Sequence, residues 1–195
     1  MEINIPGGFK VNCFLFYDKD FKTLDFGPGH PMREDKYEKA LEESKKQGIL
    51  EKIETKKVEI IDASILYLFH TPNYVEKVKK ISEEGTGIIG PDTPGYKGIY
   101  EAAILSVNAT ISGAKSLLEN KCEVAVNICG GGHSAFENTG RGFCIFNDIA
   151  IAGNFFLKNG IQKIMIIDYD AHHGDGTQRA FYHSSKVFTI SLHQN

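Results

Sequence analysis

The chain reads as an α/β fold built on a mainly parallel sheet, and three observations carry that reading. Short apolar runs alternate with longer amphipathic segments, which is the pattern of βαβ units. Chemistry-bearing residues gather directly after two of those runs, where open parallel sheets place their sites. No internal repeat, low-complexity tract or linker composition interrupts the pattern, so residues 1–195 are expected to form one domain.

The elements follow in order. VNCFLFY from Val11 is a first strand, too apolar and too short for an independent helix. Glu34 to Gln47 alternates charged and apolar residues at helical spacing. VEIIDA from Val58 is expected as the next strand, and Asn73 to Glu84 as the helix after it. GIIGPDTPGYKG, residues Gly87 to Gly98, is rich in Gly and Pro and is expected to be a structured loop. A long helix runs from Gly98 to Glu119, followed by strand EVAVNI from Glu123. Asn147 to Lys158 is helical, KIMIID from Lys163 a strand, Gly176 to Tyr182 a short helix and VFTISL from Val187 the last strand. The sequence stops at Asn195, leaving that strand without a neighbour to cover it, so some partner or self-association is expected there.

Composition narrows the function classes. Lys and Arg number 22 against 25 Asp and Glu, a net charge of −3 with no basic cluster, which argues against direct binding of nucleic acid. Cys13, Cys122, Cys129 and Cys144 lack the paired short spacing of a zinc ribbon and read as buried reduced thiols. No basic-then-apolar leader and no membrane-length apolar run is present, so no membrane association and a cytoplasmic location are expected.

DYDAHHGDG, residues Asp168 to Gly176, holds the densest chemistry. Asp170 and His172 offer a carboxylate oxygen and an imidazole nitrogen two residues apart, a donor pair suited to zinc or another divalent first-row metal. Asp168 lies two residues further back, placed to support a ligand or to hold a separate hard cation. Gly174 and Gly176 let the backbone turn sharply, and Asp175 between them can accept from a catalytic imidazole or cap the following helix. GGGHSAFENTGRGF, after the strand EVAVNI, presents His133 to the strand ends for proton transfer. A phosphate loop does not fit, since no Gly-Lys-Ser/Thr follows.

These residues carry a resemblance. GPGHP at Gly27, DTPGYKGIY at Asp92, GGGHSAFENTGRGFCIFNDIAIA at Gly130, DYDAHHGDG and TISLH at Thr189 occur in the order used by zinc-dependent histone deacetylases and acetoin-utilisation-type deacetylases, of the arginase/deacetylase superfamily. The chain resembles their N-terminal portion. The resemblance implies a three-layer α/β/α fold with a mainly parallel central sheet, C-terminally incomplete. It also implies metal-dependent removal of acetyl groups from acetyl-lysine or a related acetylated amine, with Zn2+ or another divalent metal on Asp170 and His172 activating the attacking water. His133, Asp168 and Asp175 match catalytic positions; Asp92 matches a residue holding a peptide substrate's backbone; Gly142 and Phe143 match the tunnel wall. Asp168, Asp170, His172, Ser191 and Leu192 resemble an internal K+ site, and GPGHP with Arg33 resembles a loop near the pocket floor.

Two departures stand out. Ser134 occupies the place of the family's second histidine and has no ionisation near neutrality to exchange protons. The segments that supply the family's third metal ligand and its carbonyl-polarising tyrosine are not in the sequence. They favour an alternative, a non-catalytic or incomplete deacetylase-like binding protein. A second alternative is an arginase-like dinuclear manganese hydrolase, to whose Asp-Ala-His-x-Asp signature DAHHGD is superficially similar, with its closing aspartate one residue late.

Overall fold

The computed structural model describes residues 2–5, 9–30, 32–33 and 35–194; Pro31 of GPGHP, Glu34 at the expected helix start and Asn195 lie outside the described residues. Chain order is β1 (Glu2–Ile5), β2 (Phe9–Tyr17), α1 (Asp35–Lys46), β3 (Glu54–Lys57), α2 (Pro72–Glu84), β4 (Thr86–Gly90), β5 (Thr93–Tyr96), α3 (Ile99–Leu118), β6 (Val124–Asn127), α4 (Asp148–Lys158), β7 (Ile164–Asp168), α5 (Asp175–Phe181) and β8 (Val187–Ser191).

The parallel strands form two groups. β2 is central to the first, parallel to β3 through Phe14–Tyr17 and to β6 through Cys13–Phe16, with β1 antiparallel on its opening residues. β7 and β8 form a separate parallel pair, registered Ile164 on Val187 through Asp168 on Ser191. Phe14, Leu15 and Phe16 are buried, so β2 is an apolar run because helices cover it. The largest of those helices is α3, whose small residues Ala109 and Gly113 let it settle on the sheet: a β-carbon on Gly113 would lie 3.0 Å from that of Ala125. A groove of about 280 Å³ remains between α3, β6 and α4.

Two expectations change. The strand after α1 is Glu54–Lys57 rather than VEIIDA. Its pairing with β2 ends at Lys57, and the next free N–H, that of Glu59, donates to Ser112 Oγ on α3 (3.0 Å), which draws the chain off the sheet and leaves Ile60 exposed. The Gly/Pro-rich loop is an antiparallel hairpin, β4 on β5, with an irregular register between Ile88 and Gly90. Helix ends follow their capping residues. Thr71 Oγ1 accepts from Tyr74 N–H with Pro72 next to it, and Gly85 closes α2 at φ +76°. All four cysteines are free, three of them buried.

Candidate active site

β6 ends at Asn127, and the chain must reverse towards α4. Gly131 supplies the turn at φ +97°, where a β-carbon is disfavoured. Gly130 and Gly132 are needed for space instead, because added β-carbons would press on the Asp148 carboxylate and the Phe146 carbonyl. Asp148, buried at the start of α4, fixes this loop: its Oδ1 accepts from Gly131 N–H (3.0 Å) and Gly132 N–H (2.7 Å), and Oδ2 accepts from Thr110 Oγ1 (2.6 Å). Asn147, fully buried, caps α4 by accepting from Ala150 N–H (2.8 Å) while its Nδ2 donates to the carbonyls of His133 and Ala135.

The loop delivers His133, 8% exposed, to the end of β7. His133 Nδ1 lies 2.7 Å from Asp168 Oδ2. A carboxylate only accepts, so Nδ1 carries the proton and Nε2 faces the cavity. Nε2 lies 3.8 Å from Asp170 Oδ1. Gly174 closes over this pair at φ −73°, and a β-carbon there would overlap Asp168 Oδ2 and sit 3.2 Å from His133 Nδ1. Its glycine is therefore demanded by close approach and not by the sharp turn the sequence suggested.

Asp170 and His172 sit beside the dyad on the same cavity. Asp170 Oδ1 accepts from His172 N–H (2.7 Å) and lies 2.9 Å from His172 Nδ1. Burial works against the Asp170 charge, yet the hydrogen bonds from His172, with the neighbouring imidazoles, hold its carboxyl below the ordinary range. Two donors of one tetrahedral zinc lie roughly 3 Å apart given Zn–N and Zn–O lengths of about 2 Å. The donor types and spacing fit that ion, and as a pair they are one short of three protein ligands. No cluster of three or more metal-ligating residues occurs among the described residues.

The cavity measures about 510 Å³ and runs from His133, Asp170 and His172 past Gly142 and Phe143 to Met32, Lys36 and Cys129. Arg141 to Cys144 form a tight turn with Gly142 at φ +56° and Phe143 at φ +63°, closed by Cys144 N–H to the Arg141 carbonyl (2.9 Å). A phenylalanine in that region is strained. The turn is held from outside, as Gly142 N–H donates to Asp92 Oδ1 (2.9 Å) and Phe143 N–H to Thr93 Oγ1 (3.1 Å). Asp92 thus supports the wall and keeps one oxygen for other contacts. Phe143 packs edge-on against His30, ring centres 4.2 Å apart.

The remaining expected residues are placed as follows. Asp175 begins α5 and pairs with Arg141, Oδ2 to Nη1 2.6 Å. Ser134 is buried beneath Gly142, whose added β-carbon would lie 3.4 Å from the hydroxyl. Asp168 and Ser191 border a small separate cavity of about 40 Å³, and Leu192 N–H donates to the Asp168 carbonyl (2.9 Å). Asp170 and His172 open on the larger cavity. Asn147, Asp148 and Arg141 were not singled out from sequence. Only the Asn-Asp pair before an apolar helix, a capping signal, could have marked two of them.

A His–Asp dyad thus lies beside an Asp–His donor pair at the strand ends of an α/β fold. The Histone deacetylase domain profile matches residues 30–195, and the chain belongs to that family. It is 32% identical to histone deacetylase RPD3 of Saccharomyces cerevisiae, over 98% of this chain and 46% of that protein. It is 34% identical to a probable deacetylase of Archaeoglobus fulgidus, over 92% of this chain and 51% of that protein. The solved structure of the HDA15 HD domain superposes with TM-score 0.85 at 24% identity, covering 94% of this chain and 54% of that one, which shows the same fold. The chain spans about half the length of the curated relatives it matches.

Proposed function

We propose that the chain carries the proton-transfer half of a zinc-dependent deacetylase site acting on acetyl-lysine or a related acetylated amine. The observation that supports this best is the His133–Asp168 dyad opening on one cavity with Asp170 and His172. Asp170 and His172 are the residues that would hold zinc, which when bound polarises an amide carbonyl and acidifies water.

The chain's own residues account for the rest. Asp168 fixes the tautomer of His133 and balances the charge the ring acquires, so Nε2 is free to take a proton from the attacking water and pass it to the leaving amine. Gly142 and Phe143 flank the extended alkyl chain of the substrate and exclude water from it. Ser134 cannot share the proton transfers, so both fall to His133. An alkali ion near Asp168 and Ser191 and a cytoplasmic location, favoured by four free thiols, belong to the same reading. No helix among the described residues is long and apolar enough to cross a membrane.

The test is zinc content after dialysis together with hydrolysis of an acetyl-lysine peptide. Stoichiometric zinc is expected, lost in Asp170→Ala and His172→Ala, and His133→Ala is expected to slow hydrolysis by about 10²- to 10⁴-fold. Hydrolysis indifferent to His133, or no zinc retained, would overturn the reading.

A further inference from the structure

Asp175 matches a family carboxylate whose imidazole partner is absent here, because Ser134 stands in its place. One oxygen of that carboxylate is nevertheless engaged, while the other, Oδ1, is buried without a partner among the described residues. Arg141 Nη1 lies 2.6 Å from Asp175 Oδ2, and the Asp175 side chain is only about a quarter exposed while that of Arg141 is half exposed. Arg141 is also the first residue of the strained turn that carries Gly142 and Phe143. Its guanidinium lies over the Phe136 ring (5.6 Å), shared with Arg179 (5.2 Å), which is itself engaged by Glu137 (3.0 Å). The two guanidinium groups over Phe136 therefore each have their own carboxylate.

Packing ties the same parts together. Gly176, next to Asp175, approaches so closely that a β-carbon would clash with the Ala135 and His133 carbonyls, so α5 begins directly against the His133–Ala135 segment. An ion pair from the wall turn to this helix start ties the cavity wall to the helix packed behind the His133 segment.

We propose that Arg141 is the positioning residue that takes the place of the missing second imidazole: it holds the Asp175 carboxylate and so locks the Gly142–Phe143 wall onto α5. The further consequence, that His133 is the sole proton-transferring imidazole, rests on the deacetylase reading; the ion pair's role does not.

NMR can follow the imidazole introduced by Ser134→His, alone and combined with Arg141→Ala. With Arg141 present the charge of Asp175 is balanced through Oδ2; without it the new imidazole faces an uncompensated carboxylate, and its titration is expected to rise by about one to three pH units. Arg141 from the turn is the charged group paired with Asp175, whereas Arg179, on the same helix as Asp175, pairs with Glu137, so Arg179→Gln serves as control. A titration that does not move on loss of Arg141, or moves equally on loss of Arg179, overturns the proposal.

Ser134 lies close under Gly142, and a larger side chain there could prevent folding. Melting temperatures of Arg141→Ala, Asp175→Asn and the double variant avoid that difficulty: the double variant is expected to be no less stable than the worse single one, and additive losses overturn the proposal. Where turnover is measured, Arg141→Lys is expected to retain more activity than Arg141→Ala, with the pH profile unchanged in shape, and only Ser134→His with Arg141→Ala is expected to gain a second ionisation. The titration and melting experiments need no turnover, so they remain decisive if the deacetylase reading itself fails.

Discussion

At the scale of single residues, the site is held by groups that do not react. Gly174 has an ordinary φ, so an alanine there is conformationally harmless; its methyl would nonetheless occupy the space of the His133–Asp168 hydrogen bond. Gly174→Ala is expected to abolish that bond while leaving the bulk of the fold intact, seen as a lost low-field Nδ1 proton in NMR with most other resonances unmoved. A second residue-scale prediction concerns His70, 2% exposed, whose Nε2 accepts from Asn147 N–H (2.9 Å). Burial pushes its pKa down from 6.5 to about 4, so between those values the unfolded chain binds a proton that the folded one refuses. Stability contributed by the neutral ring is whole above pH 6.5 and falls as pH drops towards 4, by up to about 3 kcal/mol. His70→Gln, whose amide oxygen can accept the same N–H, is expected to flatten this limb in urea titrations between pH 7 and 4; an equally steep limb would exclude His70 as its source. His133, Asp168, Asp170 and His172 stood out in the sequence because chemistry-bearing types cluster after apolar runs, and the structure brings the four together. The sequence hid Asn147 and Arg141, whose partners come from segments far along the chain and whose roles exist only once those segments meet.

At the scale of elements, the β4–β5 hairpin governs the cavity wall. It supplies Asp92 and Thr93 to the N–H groups of Gly142 and Phe143, and it presses Gly90 so tightly on Gly140 that a β-carbon would collide with the Gly140 carbonyl. Neither side of that contact is a flexible side chain, so relief requires moving the hairpin or the site loop. Gly90→Ala is expected to cost about 3 kcal/mol or more in denaturant unfolding and to weaken substrate binding through the displaced wall. Asp92→Ala, by contrast, removes the acceptor of the Gly142 N–H and of the Thr93 hydroxyl and is expected to cost about 2 kcal/mol. A Gly90→Ala protein as stable as wild type would show that the hairpin does not bear on the loop. This hairpin was not legible in the sequence, because GIIGPDTPGYKG has too few alternating apolar residues to signal strands; its ladder is stabilised by the loop beneath it. VEIIDA shows the converse. Its composition is strand-like, yet Ser112 captures the backbone where the ladder would continue, while the polar ETKK pairs because it lies at a lysine-bearing edge where no helix need cover it.

At the scale of the whole molecule, the two parallel groups of strands are covered unequally. One face of β7–β8 buries Ile164, Ile166 and Val187 against Phe181 of α5. The other presents Met165, Ile167 and Phe188, between 45% and 61% exposed, with Met165 directly opposite Phe188 in the register. A parallel sheet bare on one side is uncommon, since its apolar residues gain most of their stabilisation from cover on both. KIMIID and VFTISL are legible as strands in the sequence, whereas which face is bare depends on the register. The chain as it stands is therefore expected to associate with a second copy through this face, visible as a sedimentation coefficient that rises with protein concentration. Phe188→Lys and Met165→Lys change only exposed positions, so each is expected to alter stability by no more than about 0.5 kcal/mol while shifting the protein to monomer. A wild-type chain that stays monomeric across that concentration range would mean that the exposed row is too narrow, at a few side chains on two strands, to offset the entropy of association.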